Sequence, residues 1–139
     1  MNDNSSFSIA EQLIKDILSQ DDIVLTVSSG SAICEAKAEK GMQLRILENW
    51  ATIGDENRPW HIHLNVSEIA EARFVKEKGH ENKMNCSVRF ADSKGEYKMR
   101  AYFTNIYSAS GELDNEKLAR YEALFAKYGR RESIPLKVA

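Results

Sequence analysis

Apolar residues recur every three or four positions near the start of the chain and again near its end. The first stripe consists of Ile9, Leu13, Ile14, Ile17 and Leu18. The second stripe consists of Leu118, Tyr121, Leu124, Phe125 and Tyr128. This spacing places each set on one side of an amphipathic helix. Asp114 can cap the second helix and Gly129 is placed to end it, so we expect one helix near each end of the chain.

Between these helices, apolar positions alternate with polar ones, which is typical of strands that turn one face to a core. The alternation is clearest from residue 59 to residue 105, where polar, glycine-containing turns separate the segments. The segments read PWHIHLNV, IAEARFVKEK, KMNCSVRFAD and EYKMRAYFTN. We expect three or four consecutive antiparallel strands here, in one sheet.

The remaining segments complete the predicted fold. Residues 23–28 and 32–38 indicate a hairpin, and residues 42–50 indicate a further strand. Residues 51–59 are rich in turn-forming residues and are interpreted as a loop, and residues 130–139 as a tail. The predicted fold class is therefore α+β: a large antiparallel sheet flanked by an N-terminal and a C-terminal helix, in one domain of 139 residues.

Composition narrows the class of protein. The chain is 42% hydrophobic and 29% charged, and its formal net charge is −2. This charge argues against a nucleic-acid binder, which usually carries a basic face. No apolar run approaches the roughly 18 residues of a membrane-spanning helix, and the first residues do not have the pattern of a signal peptide. We therefore expect a cytoplasmic protein with no membrane insertion and no nucleic-acid partner.

The two cysteines, Cys34 and Cys86, both lie in apolar alternating runs. A free cysteine in such a run usually acts as a small buried hydrophobe, so we expect both in the core. Two separate thiols do not indicate a disulfide framework. The chain has no nucleophile elbow, glycine-rich phosphate loop or zinc-protease motif, so we assign no catalytic residue.

The polar positions of the four central strands are expected to share one face. They are His61, His63, Asn65, Arg73, Asn85, Ser87, Arg89, Lys98, Arg100 and Tyr102. His61 and His63 are two residues apart on one strand, which brings both side chains to the same side, roughly 7 Å apart. A solvated sheet face would also be polar, so a face without a ligand is the simplest alternative. His80 lies in a polar hairpin loop and is interpreted as solvated.

The chemistry of this face favours a large anionic ligand over a bare ion. Imidazole binds iron, zinc and copper, but a zinc site needs three or four protein ligands and only His61 and His63 are evident. Haem requires less from the protein: one axial histidine, an apolar or aromatic wall, and cations for its propionates. An arginine binds both oxygens of a carboxylate. The composition of the face is compatible with haem.

The order of segments in the C-terminal half also resembles a known family. After the histidine strand come "SEIAEARFV", "NCSVRFADSKGEYKMRAYF" and "LDNEKLARYEALFAKYG". This order, over residues 42–129, is similar to that of ChuX/HutX-like haem-utilisation proteins and of each half of the HemS-like proteins. The resemblance implies a broad antiparallel sheet flanked by helices, a homodimer, and haem carried or processed in the bacterial cytosol. The N-terminal half is shorter than in that family, and haem-contacting positions there have no clear counterpart.

These observations lead to one main functional hypothesis, a cytoplasmic haem carrier or buffer in haem-iron utilisation. His61 or His63 would ligate the iron, as the resemblance implies for a histidine on this part of the sheet. Arg89 and Arg100 would hold the propionates, with Tyr102 as a wall. Trp60 would also line the site, although alternation directs it to the core.

Two alternatives are left open by the sequence. One is a haem-degrading enzyme, which would have to activate the bound iron towards oxygen. The other is a homodimeric binding module for a ligand other than haem, in which the histidine face is solvated or forms the subunit interface.

Overall fold

Two antiparallel sheets and two helices form the structure, a computed structural model that describes residues 7–136. The helices are α1 (Ser8–Leu18) and α2 (Asn115–Lys127). The strands are β1 (Ile23–Ser29), β2 (Ala32–Lys37), β3 (Leu44–Leu47), β4 (Trp50–Ile53), β5 (Ile62–Asn65), β6 (Glu71–Lys78), β7 (Met84–Ala91), β8 (Tyr97–Phe103) and β9 (Ser133–Pro135). Six strands form one sheet in the order β2-β1-β8-β7-β6-β9, and the other three form a sheet in the order β3-β4-β5. This architecture confirms the predicted α+β class.

The long strands of the six-stranded sheet follow the predicted alternation. Strands β6, β7 and β8 form an antiparallel meander in which Arg73 faces Arg89, and Arg89 faces Arg100. The hairpin of β1 and β2 is also confirmed. β1 pairs with β8, with Ile23 opposite Phe103, and so joins the N-terminal hairpin to the meander.

The histidine strand does not belong to this meander, so that part of the prediction is wrong. β5 pairs with β4, with Thr52 opposite His63, in the smaller sheet. The segment interpreted as a loop therefore contains most of a strand. β4 has only four residues and follows a tight turn in which Glu48 has a φ of 57°. A segment this short shows too little alternation to be distinguished from a loop.

A short 3-10 turn at Val66–Glu68 takes the chain from one sheet to the other. The side chain of Asn65 accepts a hydrogen bond from the backbone N–H of Ser67 at 3.1 Å. This cap ends β5, and the backbone N–H of Ala70 then bonds to Ala91 in the larger sheet. An asparagine that caps a turn in this way explains why the histidine strand and β6 are consecutive in sequence but lie in different sheets.

One face of the six-stranded sheet, here called the inner face, is covered by the core. Both helices and the apolar side of the smaller sheet contribute buried residues to that core. The ring of Tyr121 in α2 packs against Phe74 and Phe103, with centroid distances of 5.7 and 5.1 Å. The opposite face, the outer face, carries the arginines of the meander. Neither helix of the described residues is long and apolar enough to cross a membrane.

The predicted helix cap and the predicted tail had different outcomes. Asp114 caps α2, because its Oδ1 accepts hydrogen bonds from the N–H groups of Glu116 and Lys117 at 3.1 and 3.2 Å. The tail prediction is wrong for residues 133–135, which form β9 at the sheet edge, and residues 137–139 lie outside the described part. Ile134 in β9 is 1% exposed and faces Ala72. An edge strand tolerates Pro135.

The edge strand β9 is expected to contribute to stability through Ile134. Replacing Ile134 with Ala should lower the free energy of unfolding by about 2–5 kcal/mol, because the change leaves a cavity in the core. Chemical denaturation followed by circular dichroism would measure it. Glu132→Ala, an exposed neighbour, should change it by about 0.5 kcal/mol or less. Equal midpoints for the two variants would show that β9 is not packed on the core.

Candidate ligand-binding site

Two depressions lie on opposite sides of the six-stranded sheet. The inner cleft, of about 380 Å³, lies between the inner side of β1 and β2 and the histidine strand β5. The outer groove, of about 740 Å³, lies on the outer face, beside the loop between β6 and β7. Both volumes are in the range of roughly 300–1,000 Å³ that small-molecule sites occupy. The residues expected to form one site are divided between these two depressions.

The inner cleft contains His61 and His63. Their rings are in edge contact, with centroids 4.8 Å apart and planes at 71°. Nδ1 of His63 lies 2.9 Å from Oγ1 of Thr52, its cross-strand partner. When Nδ1 donates its proton to Thr52, Nε2 carries the lone pair and is able to ligate a metal. Both imidazoles are exposed, so a ligand can reach them from solvent.

The rest of the inner cleft is mainly apolar. Its walls include Leu25, Val27, Ala36, Trp60 and Leu64. Trp60 was expected to point to the core; it is half-buried, packs against the core and also lines the cleft.

The cation of the inner cleft is Lys98, which was expected on the arginine face. A bulge at the Phe90/Ala91 pairing shifts the register of β7 against β8 and separates Lys98 from the arginines. Its Nζ lies 3.3 Å from Glu96 and 3.5 Å from Asp92, and hydrogen bonds with these carboxylates, Glu96 first, raise the pKa of the amine.

The outer groove contains Arg100 and Tyr102. An Nη1 of Arg100 donates a hydrogen bond of 3.2 Å to the hydroxyl of Tyr102. Arg89 faces Arg100 across the sheet but lies beneath the surface, with 6% exposure, and does not line the groove. Its guanidinium donates to Ser87 at 3.0 Å and to Glu77 at 2.6 Å. Arg89 therefore already has a carboxylate partner within the fold.

His80 is the residue of the outer groove that sequence reasoning missed. It was interpreted as a solvated loop residue, and it is exposed, but its loop borders the groove together with Lys83. The loop lies against the sheet closely enough that a Cβ at Gly79 would approach the Asn85 side chain to 2.4 Å. The pairing of the predicted strands could have located His80. The start of β7 is adjacent to the end of β8, so the loop before β7 lies near Tyr102.

The predicted single face of histidines, arginines and tyrosine is therefore wrong. His61 and His63 lie in the inner cleft, whereas Arg100 and Tyr102 line the outer groove and Arg89 lies beside them. The six-stranded sheet separates the two groups, so one ligand cannot contact both within a chain. Within residues 7–136, no three His, Cys, Asp or Glu side chains are close enough together to hold a metal ion. The inner cleft thus offers two neighbouring imidazoles, His61 and His63, without a third ligand of these types.

Comparison with known proteins relates the fold to haem-binding proteins. A protein-family model matches residues 11–129, which is most of the chain. No curated protein sequence matches. The crystal structure of ChuX superposes with a TM-score of 0.74 at 10% identity, covering 91% of this chain and 76% of that chain. Another ChuX structure is described as that of a haem-binding protein, with a TM-score of 0.69.

Two longer proteins have the same fold in one part of their chains. Holo-PhuS, a haem-binding protein from Pseudomonas aeruginosa, gives a TM-score of 0.61 at 18% identity, with 87% of this chain and 33% of that chain covered. ChuS, a haem oxygenase from E. coli, gives 0.63 at 13% identity, with 86% and 35% covered. This chain spans about a third of each. At these identities the likeness establishes the fold, and the chemistry of the site has to be argued from the residues present.

The two cysteines are expected to differ in reactivity. Cys86 is 1% exposed and burial raises the pKa of its thiol, as the core prediction implies. Cys34 is exposed in the inner cleft, because β2 is the outermost strand. The prediction that Cys34 lies in the core is therefore wrong.

Iodoacetamide should add one label per native chain and two after unfolding, as counted by intact mass. Cys34→Ser should take no label when native; rapid labelling of that variant would contradict the assignment.

Proposed function

Because the chain belongs to the family of ChuX/HutX-like haem-utilisation proteins, we propose that it binds haem in the inner cleft, with His63 as the iron ligand. The observation that carries the proposal is the hydrogen bond of 2.9 Å between His63 and Thr52. Metal-ligating histidines almost always donate their other ring N–H to a neighbouring acceptor, which fixes the tautomer and the ring orientation. Haem supplies an iron that takes such an imidazole as an axial ligand.

Only one of the two neighbouring histidines can ligate the iron of a single haem in this arrangement. Both imidazoles enter the inner cleft from the same strand segment and would approach the iron from the same side. The rings of His61 and His63 are 4.8 Å apart and in edge contact. His63 is the better ligand because Thr52 orients it. His61 then packs beside the ligating ring.

The walls of the inner cleft suit part of a porphyrin. Leu25, Val27 and Trp60 present apolar and aromatic surface next to the imidazoles. The cleft of about 380 Å³ would hold part of a porphyrin against these side chains. Lys98 lines the cleft, and Arg45 lies in the same cross-strand row as Thr52 and His63. These two cations take the role that the sequence assigned to Arg89 and Arg100.

The proposed physiological role is that of a cytoplasmic haem carrier or buffer acting as a homodimer. Exposure of His63 favours reversible uptake and release over permanent enclosure of the ligand.

The edge strand β2 is exposed over most of its length, and Ile33, Leu47 and Trp50 are exposed at 71%, 65% and 49%. Unpaired strand edges and exposed apolar side chains usually gain cover in an assembly. A mass in solution of twice the chain mass would support the dimer, and a monomeric mass would exclude it.

Haemin titration should separate the roles of the two histidines. Haemin added to the protein should shift the Soret band and saturate, and bound haemin should protect Cys34 from iodoacetamide. His63→Ala should abolish the Soret shift, whereas His61→Ala should retain it. Thr52→Val should weaken haemin binding about 10-fold or more, as for other partners that orient a ligating histidine. The absence of a Soret shift at micromolar haemin would exclude haem binding, and an unchanged spectrum in His63→Ala would exclude this ligand.

A second candidate function is haem degradation, which the structural likeness to the haem oxygenase ChuS favours. The two functions differ in what happens to bound haem under reducing conditions. Incubating the haem complex with ascorbate in air should leave the Soret band of a carrier stable. Loss of that band with the appearance of a biliverdin-like absorbance would establish degradation instead. The change should be insensitive to catalase and absent from controls that lack the protein.

A further inference from the structure

Three arginines form a continuous row across the outer face of the sheet. Arg73 on β6 faces Arg89 on β7, and Arg89 faces Arg100 on β8. Like charges placed directly opposite each other destabilise a sheet by up to roughly 1 kcal/mol per pair. Tyr97 relieves part of this repulsion, because its ring centroid lies 5.3 Å from Arg89 and 5.2 Å from Arg100. A row of this kind breaks a local rule of sheet stability, which commonly marks a functional surface.

Two of these arginines are neutralised within the fold. Arg73 pairs with Glu71 at 2.6 Å, and the hydrogen bonds that its guanidinium donates to Glu71 and then to Tyr97 raise its pKa. Arg89 pairs with Glu77, also at 2.6 Å. The repulsion in this part of the row is therefore offset by carboxylates of the same chain.

Arg100 has no such carboxylate. Among residues 7–136, no Asp or Glu oxygen forms a salt bridge with it, and the hydroxyl of Tyr102 is its one hydrogen-bond partner from a side chain. Along the row, Thr26 comes next and Glu35 follows, two strands or roughly 10 Å away; Glu35 lines the far side of the same groove but forms no salt bridge with Arg100. The guanidinium is half-buried. A partly desolvated cation with unused donors is unfavourable until an anion binds it.

The outer groove next to Arg100 is large and contains both a second cation and apolar surface. Nζ of Lys83 lies 5.3 Å from the centroid of the Tyr107 ring and forms a long, exposed ion pair of 3.9 Å with Glu81. The hydroxyl of Tyr107 accepts a hydrogen bond of 2.7 Å from the backbone N–H of Met84, which holds the ring in place. Ile33, 71% exposed, lines the same groove. The volume of about 740 Å³ is more than an inorganic anion fills.

We propose that the outer groove is a second ligand site, separate from the histidine cleft, that binds a ring-bearing carboxylate. Arg100 binds the carboxylate through its planar fork, and Lys83 adds positive charge. The side chains of Ile33, Tyr102 and Tyr107 contact the ring. The site lies on the opposite face of the sheet from His63, so it does not depend on haem binding in the inner cleft.

The proposal can be tested with 2-naphthoate and its uncharged analogue 2-naphthamide on the full chain. Naphthoate should bind saturably by calorimetry and shift the amide NMR signals of Thr26, Arg100, Tyr102 and Lys83. Arg100→Gln should weaken naphthoate binding about tenfold or more, because a hydrogen bond to a charged group is lost. Naphthamide should bind the unaltered protein at least as weakly as naphthoate binds this variant.

Matched controls distinguish this site from a general surface effect. Arg73→Gln removes an arginine of the same row that is already paired with Glu71, so naphthoate affinity should change less than about twofold. His63→Ala should leave it unchanged. Equal affinity for naphthoate and naphthamide, or amide shifts centred on β5, would overturn the proposal. Inorganic phosphate that competes as strongly as naphthoate would overturn the role of the ring. Unaltered amide spectra of the variants away from the groove would confirm that they are folded.

Discussion

Burial of the inner face of the six-stranded sheet is the constraint on which both candidate sites depend. The Tyr121 ring lies between Phe74 and Phe103, and its hydroxyl donates to the backbone carbonyl of Ser87 at 2.8 Å. Burial raises the pKa of this hydroxyl, which is therefore retained as a neutral donor. Helix α2 covers this part of the inner face, whereas the outer face and the end of the inner face near β1 and β2 are open to ligands. These are the positions of the groove and the cleft.

The division of the predicted site follows from what alternation can and cannot report. Alternation correctly separated Phe74, Val88 and Phe103 from Arg73, Arg89 and Arg100, because side chains of a strand alternate whatever their neighbours are. It does not report which sheet a strand joins. The cap at Asn65 changes sheets within a few residues, and the partner strand β4 is too short to be recognised. Sequence reasoning therefore placed His61 and His63 on the same face as the arginines.

Burial also gives residues of the same type different roles. Arg89 and Arg100 have the same side chain and face each other, yet one is 6% exposed and paired with Glu77, while the other lines a groove without a carboxylate partner. Arg89 therefore acts in the stability of the sheet, through its bonds to Ser87 and Glu77. His80 shows the opposite case: the composition of its loop is typical of solvent exposure, yet the loop borders the outer groove. Such distinctions require the three-dimensional arrangement.

The ChuX, PhuS and ChuS structures described above share this fold at 10–18% identity, which leaves the chemistry of each site to its own residues. The central claim here is that haem iron is bound on the inner side of the sheet, at His63. Paramagnetic broadening of amide NMR signals by bound ferric haem tests it most directly. The account predicts broadening centred on Thr52 and on β5, with the signals of Arg100 and Tyr102 much less affected. Broadening centred on His80 and Tyr102 instead would contradict it and would place the iron in the outer groove.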